Sequence, residues 1–139
     1  MVELKAVTQG DKKFWLSMDG HCSEDAFNNR VISRTGFLIL SEGEMAGVIC
    51  YNMFWDNLPF LPLIKLLPEY RGCGNGREAM RLFENMLKER GFNALLLSTQ
   101  ADEQAQHFYR KIGYKECGCL VLDEAPLKQP MEIFFIKKL

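Results

Sequence analysis

The chain has 139 residues, 47% of them hydrophobic, with 17 basic and 18 acidic side chains and a formal net charge of -1. That is the length of one domain able to bury a core without metal or disulfide support, so residues 1–139 read as a single domain. The near-neutral balance excludes a general nucleic-acid binder, which shows a basic excess or stripe. No apolar run reaches the length of a bilayer span, and "MVELKAVTQGDKK" lacks the apolar stretch of a signal peptide. The expectation is a cytoplasmic protein with neither a membrane nor a nucleic-acid partner.

Residues 2–7, "VELKAV", read as a first strand. Residues 11–20 and 23–36 read as helices, the second opened by Ser23 as N-cap and closed by Gly36. A hairpin follows over 37–54, turning at Ser41–Glu44. "FLPLIKLL", 60–67, is another strand, in which Pro62 marks an edge, a bulge or a strand start. Apolar residues Ala79, Met80, Leu82, Phe83, Met86 and Leu87 have helical spacing, ended by Gly91. "FNALLLST", 92–99, is apolar almost throughout, as in a strand covered on both faces. A shorter helix stops at Gly113, and strands at 114–122 and 131–138 finish the chain. The order β-α-α-β-β-β-α-β-α-β-β implies an α/β (α+β) protein, a central sheet with helices packed on it.

Five cysteines, Cys22, Cys50, Cys73, Cys117 and Cys119, include no C-x-x-C pair. They read as reduced thiols rather than a metal site.

"YRGCGNGREAM", 70–80, places three glycines between a strand and a helix. A dinucleotide fingerprint fails, because Arg77 stands where its third glycine belongs, and a Walker A loop fails because no Lys-Ser/Thr follows Gly76. What remains is a helix start whose first amides lack internal partners and carry the positive end of the helix dipole. With no side chains at Gly72, Gly74 and Gly76, an anion such as a diphosphate can lie against those amides, with Arg71 and Arg77 adding charge. Taken alone, the loop reads either so or as a tight strand-to-helix turn.

Downstream stands "AQHFYRKIGY", 105–114. Together with "PEYRGCGNG" and "NALLLST" it resembles the GCN5-related N-acetyltransferase (GNAT) superfamily. The family pattern Arg/Gln-x-x-Gly-x-Gly/Ala falls on Arg71, Gly74 and Gly76, and its second motif on Tyr109 and Gly113. The resemblance implies a mixed sheet of about seven strands with helices on both faces. It also implies acetyl transfer from acetyl-CoA to a primary amine of a small molecule, peptide or protein, by direct attack and without metal.

By the same resemblance the amides of Arg71, Gly72, Cys73, Gly74, Asn75 and Gly76 cradle the coenzyme diphosphate. The strand before the loop splays from its neighbour to admit the pantetheine, which puts Leu66 and Leu67 on the coenzyme and the Leu66 amide at the thioester carbonyl. Ser98 and Thr99 line the other side. Tyr109 is the implied general acid for the leaving thiolate. His107, two positions away, falls on a different helix face and reads as solvated. Where many members carry an asparagine that bonds the pantetheine, this chain has Asp102, which when ionised can only accept. The acidic base that members often place on the strand before the loop is missing; Asp56, Glu132 and solvent are the candidates.

"YNMFWDNLPF", 51–60, gathers Tyr51, Phe54, Trp55 and Phe60 around Asp56. These residues read equally as an acceptor pocket whose acid attracts a cationic amine, or as core with a turn at Asp56-Asn57. A second function within the same resemblance is a CoA or acyl-CoA sensor without turnover. Members often pair through edge strands, so the chain is expected to be a monomer or a homodimer.

Overall fold

A computed structural model describes all 139 residues. One seven-stranded sheet organises them. Its strands are β1 (Val2–Ala6), β2 (Gly36–Ser41), β3 (Glu44–Phe54), β4 (Leu58–Leu66), β5 (Ala94–Gln100), β6 (Lys115–Leu120) and β7 (Glu132–Lys138), arranged in space as β1-β2-β3-β4-β5-β7-β6. Every neighbouring pair is antiparallel except β4 and β5, the parallel pair at the centre. The helices are α1 (Lys12–Met18), α2 (Glu24–Ser33), α3 (Asn75–Glu89) and α4 (Ala105–Lys111). Element order and strand number match the expectation from sequence, and no helix is long and apolar enough to cross a membrane.

Alternation along the strands sends successive side chains to opposite faces, and each face has its own core. Trp15 and Met18 of α1 and Phe27 of α2 pack on Leu38, Val48 and Cys50. On the other face Ala79, Met80, Phe83 and Leu87 of α3, with Tyr109 of α4, pack on Ile39, Ile49, Leu95, Leu97 and Phe135. Fully burying a Leu, Met or Phe contributes about 1.5–3 kcal/mol, so packing of this stripe, more than intrinsic propensity, holds α3 in place.

Ser23 caps α2 as expected, its Oγ accepting from the Ala26 N–H at 3.0 Å. The end of that helix differs from expectation. Arg34, not Gly36, closes it in the left-handed conformation (φ 57°). Gly36 instead starts β2 and is buried, where a Cβ would come within 3.2 Å of Val7 and Arg30 and 3.3 Å of Trp15. Close packing, not helix termination, calls for glycine there.

The pairing of β4 with β3 slips by one residue between Cys50 and Asn52, opposite Leu61 and Pro62. Pro62 therefore sits in a β-bulge, which bends β4 at the middle of its length. Close approach also governs the far end of β4. A Cβ at Gly47 would lie 2.2 Å from the Lys65 carbonyl oxygen, so only glycine lets the two strands meet there.

Candidate active site

The glycine loop leaves a one-turn 3-10 segment at Pro68–Tyr70 and enters α3 through Gly74, whose φ of 91° is open to glycine and costly for other residues. Gly72 (φ 74°) makes a similar turn two residues earlier. Side chains hold the loop shut from behind. Asn75 Nδ2 donates to the Tyr70 carbonyl at 3.0 Å, Ser41 Oγ donates to Asn75 Oδ1 at 3.4 Å, and Arg71 Nε donates to the Leu66 carbonyl at 2.8 Å. The first backbone bond of α3 runs from the Glu78 N–H to the Gly74 carbonyl. The N–H groups of Asn75, Gly76 and Arg77 therefore have no helical partner. Glu78 is tied by Arg81 in two hydrogen bonds of 2.9 and 2.6 Å, which hold its carboxyl below the usual range and offset the acid in the first turn.

The protein's own packing leaves space over this loop. A Cβ at Gly72 or Gly74 would meet nothing within 4 Å, and one at Gly76 only Leu66 at 3.7 Å and Phe108 at 3.8 Å. Bare amides with open space in front of them suit an anion that must approach the backbone.

β4 and β5 pair only at Phe60–Leu96 and Leu61–Leu97, although β4 continues to Leu66 and β5 to Gln100. Past that point the two strands part, leaving a split with Pro62–Leu66 on one side and Ser98–Gln100 on the other. The Leu67 N–H donates to the Ala46 carbonyl of the preceding hairpin at 2.8 Å. By alternation the N–H and C=O of Leu66 face the opposite way, into the split. Of the two leucines expected on the coenzyme, Leu66 offers a backbone donor. Leu67 has spent its own, and its side chain packs with the α1–α2 core.

On the far wall, directly paired residues share a face. Thr99 points with Leu95 and Leu97 toward α3 and α4, and Ser98 points with Leu96 to the reverse face. Thr99 is buried, and its Oγ1 has no hydrogen-bond partner. A buried hydroxyl without a partner is uncommon, and this one lies on β5 where the strand has parted from β4. Asp102 is exposed in the turn before α4, where Gln106 Nε2 bonds the Ala101 and Glu103 carbonyls at 2.9 Å each.

Tyr109 is 6% exposed and packs edge-on against Phe108 and Tyr114, with ring centroids at 5.3 and 5.8 Å. Burial, with the charge of Glu103 adding to it, pushes its phenol up to about 12. Its hydroxyl therefore keeps its proton at every physiological pH. His107 is exposed, on a different face of α4.

The structure divides the aromatic run expected at the acceptor. Tyr51 faces α3, packs on Phe83 and Phe92, and takes a hydrogen bond from Arg90 at 2.7 Å. It belongs to the core under α3, on the opposite face of the sheet from Phe60 and Phe134. Trp55 and Asp56, both with positive φ, form the tip of the β3–β4 hairpin. Asp56 is thus a turn residue, exposed and some residues short of the split. Phe60 faces the other way from Tyr51, its ring 6.1 Å from Phe134. Glu132 shares that face with Phe134 and stands opposite Gln100, with Gln129 donating to its carboxylate at 3.0 Å.

One group escaped the sequence reading. The loop between α1 and α2 brings Asp19, His21 and Cys22 against Pro62 and Leu63 at the bulge, with Arg30 beside them, around a cavity of about 260 Å³. Burial pushes the Cys22 thiol up, and Asp19 adds to the effect, so the thiol stays protonated there. These contacts span some forty residues of sequence, and no local pattern announces them.

A parallel pair that splits at a bulge thus stands beside a glycine-lined helix start with uncovered amides. The family model described as "Acetyltransferase (GNAT) family" matches residues 4–114, and the chain belongs to that family. A streptothricin acetyltransferase from Streptomyces lavendulae is 34% identical over 103 residues, covering 72% of this chain and 51% of that protein. The chain thus spans about half the length of that relative. Among solved structures, Naa50 of Arabidopsis thaliana in complex with the bisubstrate analogue CoA-Ac-MVNAL superposes with a TM-score of 0.80 at 13% identity over 99% of both chains. The ribosomal-protein-S18-alanine N-acetyltransferase of Escherichia coli gives 0.80 at 20% identity, covering 99% of this chain and 94% of its own. At those identities the likeness is one of fold.

Proposed function

We propose that this protein transfers an acetyl group from acetyl-CoA to a primary amine of a small molecule or of a peptide or protein, by direct attack with both substrates bound. The observation that carries the reading is the coincidence of uncovered amides at Asn75–Arg77 with a split whose edge exposes the Leu66 N–H. Family membership supports acetyl-CoA as the donor.

In this reading the amides from Gly72 to Arg77 hold the diphosphate, aided by the helix dipole and the charge of Arg77. Arg71 acts differently from its expected part. Bonded to the Leu66 carbonyl, it braces the end of β4. The Leu66 N–H polarises the thioester carbonyl, a donor fixed before charge develops. Thr99 Oγ1 gains a partner on the pantetheine. Tyr109 donates its proton toward the departing thiolate. Because this phenol is reluctant to ionise, it relays a proton rather than losing one: as its proton passes to the thiolate, it takes up the proton that the acceptor nitrogen loses as the amide forms. Of the two carboxylates weighed as base, Glu132 faces the acceptor side and receives the amine proton; Asp56 shapes the hairpin turn.

The test is release of CoA thiol from acetyl-CoA across a panel of amines, with Tyr109→Phe alongside. Turnover with at least one amine, much reduced in the variant, supports the proposal. Acetyl-CoA binding without turnover for any amine replaces it with a sensor.

A further inference from the structure

We infer that the amine acetylated here is single-headed and carried on a compact apolar body, which enters a pocket of about 600 Å³ on the face of the sheet turned away from α3. The inference rests on the acetyltransferase reading above.

Position comes first. The split closes at Phe60–Leu96 and Leu61–Leu97. Leu61 and Leu97 look into the core under α3, so Phe60 and Leu96, one residue earlier on each strand, look out of the reverse face. Leu96 is in the lining of the pocket, with Phe54, Trp55, Leu58, Leu120 and Phe134. The cavity thus begins at the closed end of the split, on the opposite side of the sheet from the helix that holds the diphosphate. A thioester lowered into the split meets an acceptor rising from this side.

Chemistry comes second. Eight of the nine lining residues are hydrophobic and none is charged. A second ammonium in the body of the acceptor would lose hydration there and find no carboxylate. The acid on this face of the strands is Glu132, two residues from Phe134 and about 7 Å along β7, while Asp56, next to Trp55 at the exposed hairpin tip, is not in the lining. Charge at one end and apolar surface beyond it match an amine head joined to an apolar body by a short linker.

Exposure is the third observation. Trp55 is 79% exposed, Leu120 43% and Phe54 37%, and all three line this one cavity. Apolar side chains gathered at an open pocket mark a binding site more than chance surface composition does. The same chemistry arises in a free arylalkylamine and in a peptide whose first residue is large and apolar.

The experiment compares 2-phenylethylamine, a peptide beginning with Phe, lysine and spermidine as acceptors, for the wild type and for Leu120→Glu. In parallel, tryptophan emission of the CoA-loaded protein is followed as each amine is added. Trp15 is fully buried, so a change reports Trp55, and Trp55→Phe serves as the blank. We expect kcat/KM for the phenylethyl or Phe-headed acceptor to exceed that of either polyamine by about tenfold or more, and Leu120→Glu to lose about tenfold, chiefly in KM. A saturable blue shift should accompany binding. Preference between the two apolar acceptors identifies the source, and either one supports the inference. Better turnover of lysine or spermidine overturns it, as does a Leu120→Glu variant with unchanged kinetics. Emission that follows protein concentration and ignores amines also overturns it, making the patch a contact between copies. If amines shift the emission and none is turned over, the pocket stands and the transferase reading falls. If only polyamines are turned over and emission is silent, the reverse holds.

Discussion

Leu61 stands opposite Leu97 in the last pair that β4 and β5 form, immediately before the bulge at Pro62. Beyond it β4 follows β3, held by the Leu67 N–H on Ala46 and by the contact of Lys65 with Gly47, and β5 follows β7. Two neighbouring strands are thus pulled apart by their outer partners, and the Leu66 N–H is left facing the gap. Each prediction below tests one part of that arrangement.

Gly76→Val should lower CoA affinity by about tenfold or more, about 1.4 kcal/mol, with little loss of folding. A Cβ there meets only Leu66 and Phe108, at ordinary contact distances, so the protein tolerates the side chain and the diphosphate does not. Calorimetric titration with CoA and a thermal melt separate the two effects.

Tyr109→Phe should lower kcat about 100-fold while leaving acetyl-CoA binding unchanged. The pH profile adds a check. The Tyr109 phenol, pushed up to about 12, stays protonated below that pH. The wild-type rate should therefore rise as the amine loses its proton and should not fall again by pH 10. A descending limb between pH 8 and 10 would assign the acid to some other group.

Glu132→Gln should reduce kcat about tenfold at pH 7 and recover as pH rises, because a more basic solution deprotonates the amine without help. Asp56→Asn, at the hairpin tip, should leave the steady-state parameters unchanged. Equal effects of the two substitutions would return the base to solvent.

Gly47→Ala should destabilise the fold by about 2–3 kcal/mol and also weaken CoA binding. The methyl group cannot share space with the Lys65 carbonyl, so the end of β4 must move, and Leu66 with it. Urea unfolding with and without CoA checks both. A contrast is Lys137→Met. Lys137 donates to the Glu84 carboxylate at 2.6 Å and to the Ile112 carbonyl at 2.8 Å, pinning β7 to α3 and to the end of α4. Its side chain is 30% exposed and that of Glu84 12%, so the loss should be about 1–3 kcal/mol, below that of a fully buried pair, with CoA affinity preserved.

The strands and helices were legible because hydrophobic period and glycine or serine punctuation are local. Ser23 and the α3 stripe needed no tertiary information. Gly36 misled because a glycine after a helical pattern looks the same whether it ends the helix or admits Val7, Arg30 and Trp15 to a strand. Tyr51 misled for a related reason. From Ala46 to Tyr51 both faces of β3 are buried, so no polar alternation shows which way Tyr51 points. The split was legible only through resemblance to the family, since Pro62 alone is compatible with an edge, a bulge or a strand start. Asp19, His21 and Cys22 reach the bulge through folding of distant segments, and nothing in their own neighbourhood marks them.

The most direct test is a titration of isotopically labelled protein with CoA, following backbone amide resonances by NMR. If the mouth of α3 grips the diphosphate, the N–H signals of Gly74, Asn75, Gly76 and Arg77 should show the largest shifts, with Leu66 and Thr99 following along the split. Saturable binding that leaves those four amides unmoved and shifts resonances elsewhere would contradict the account.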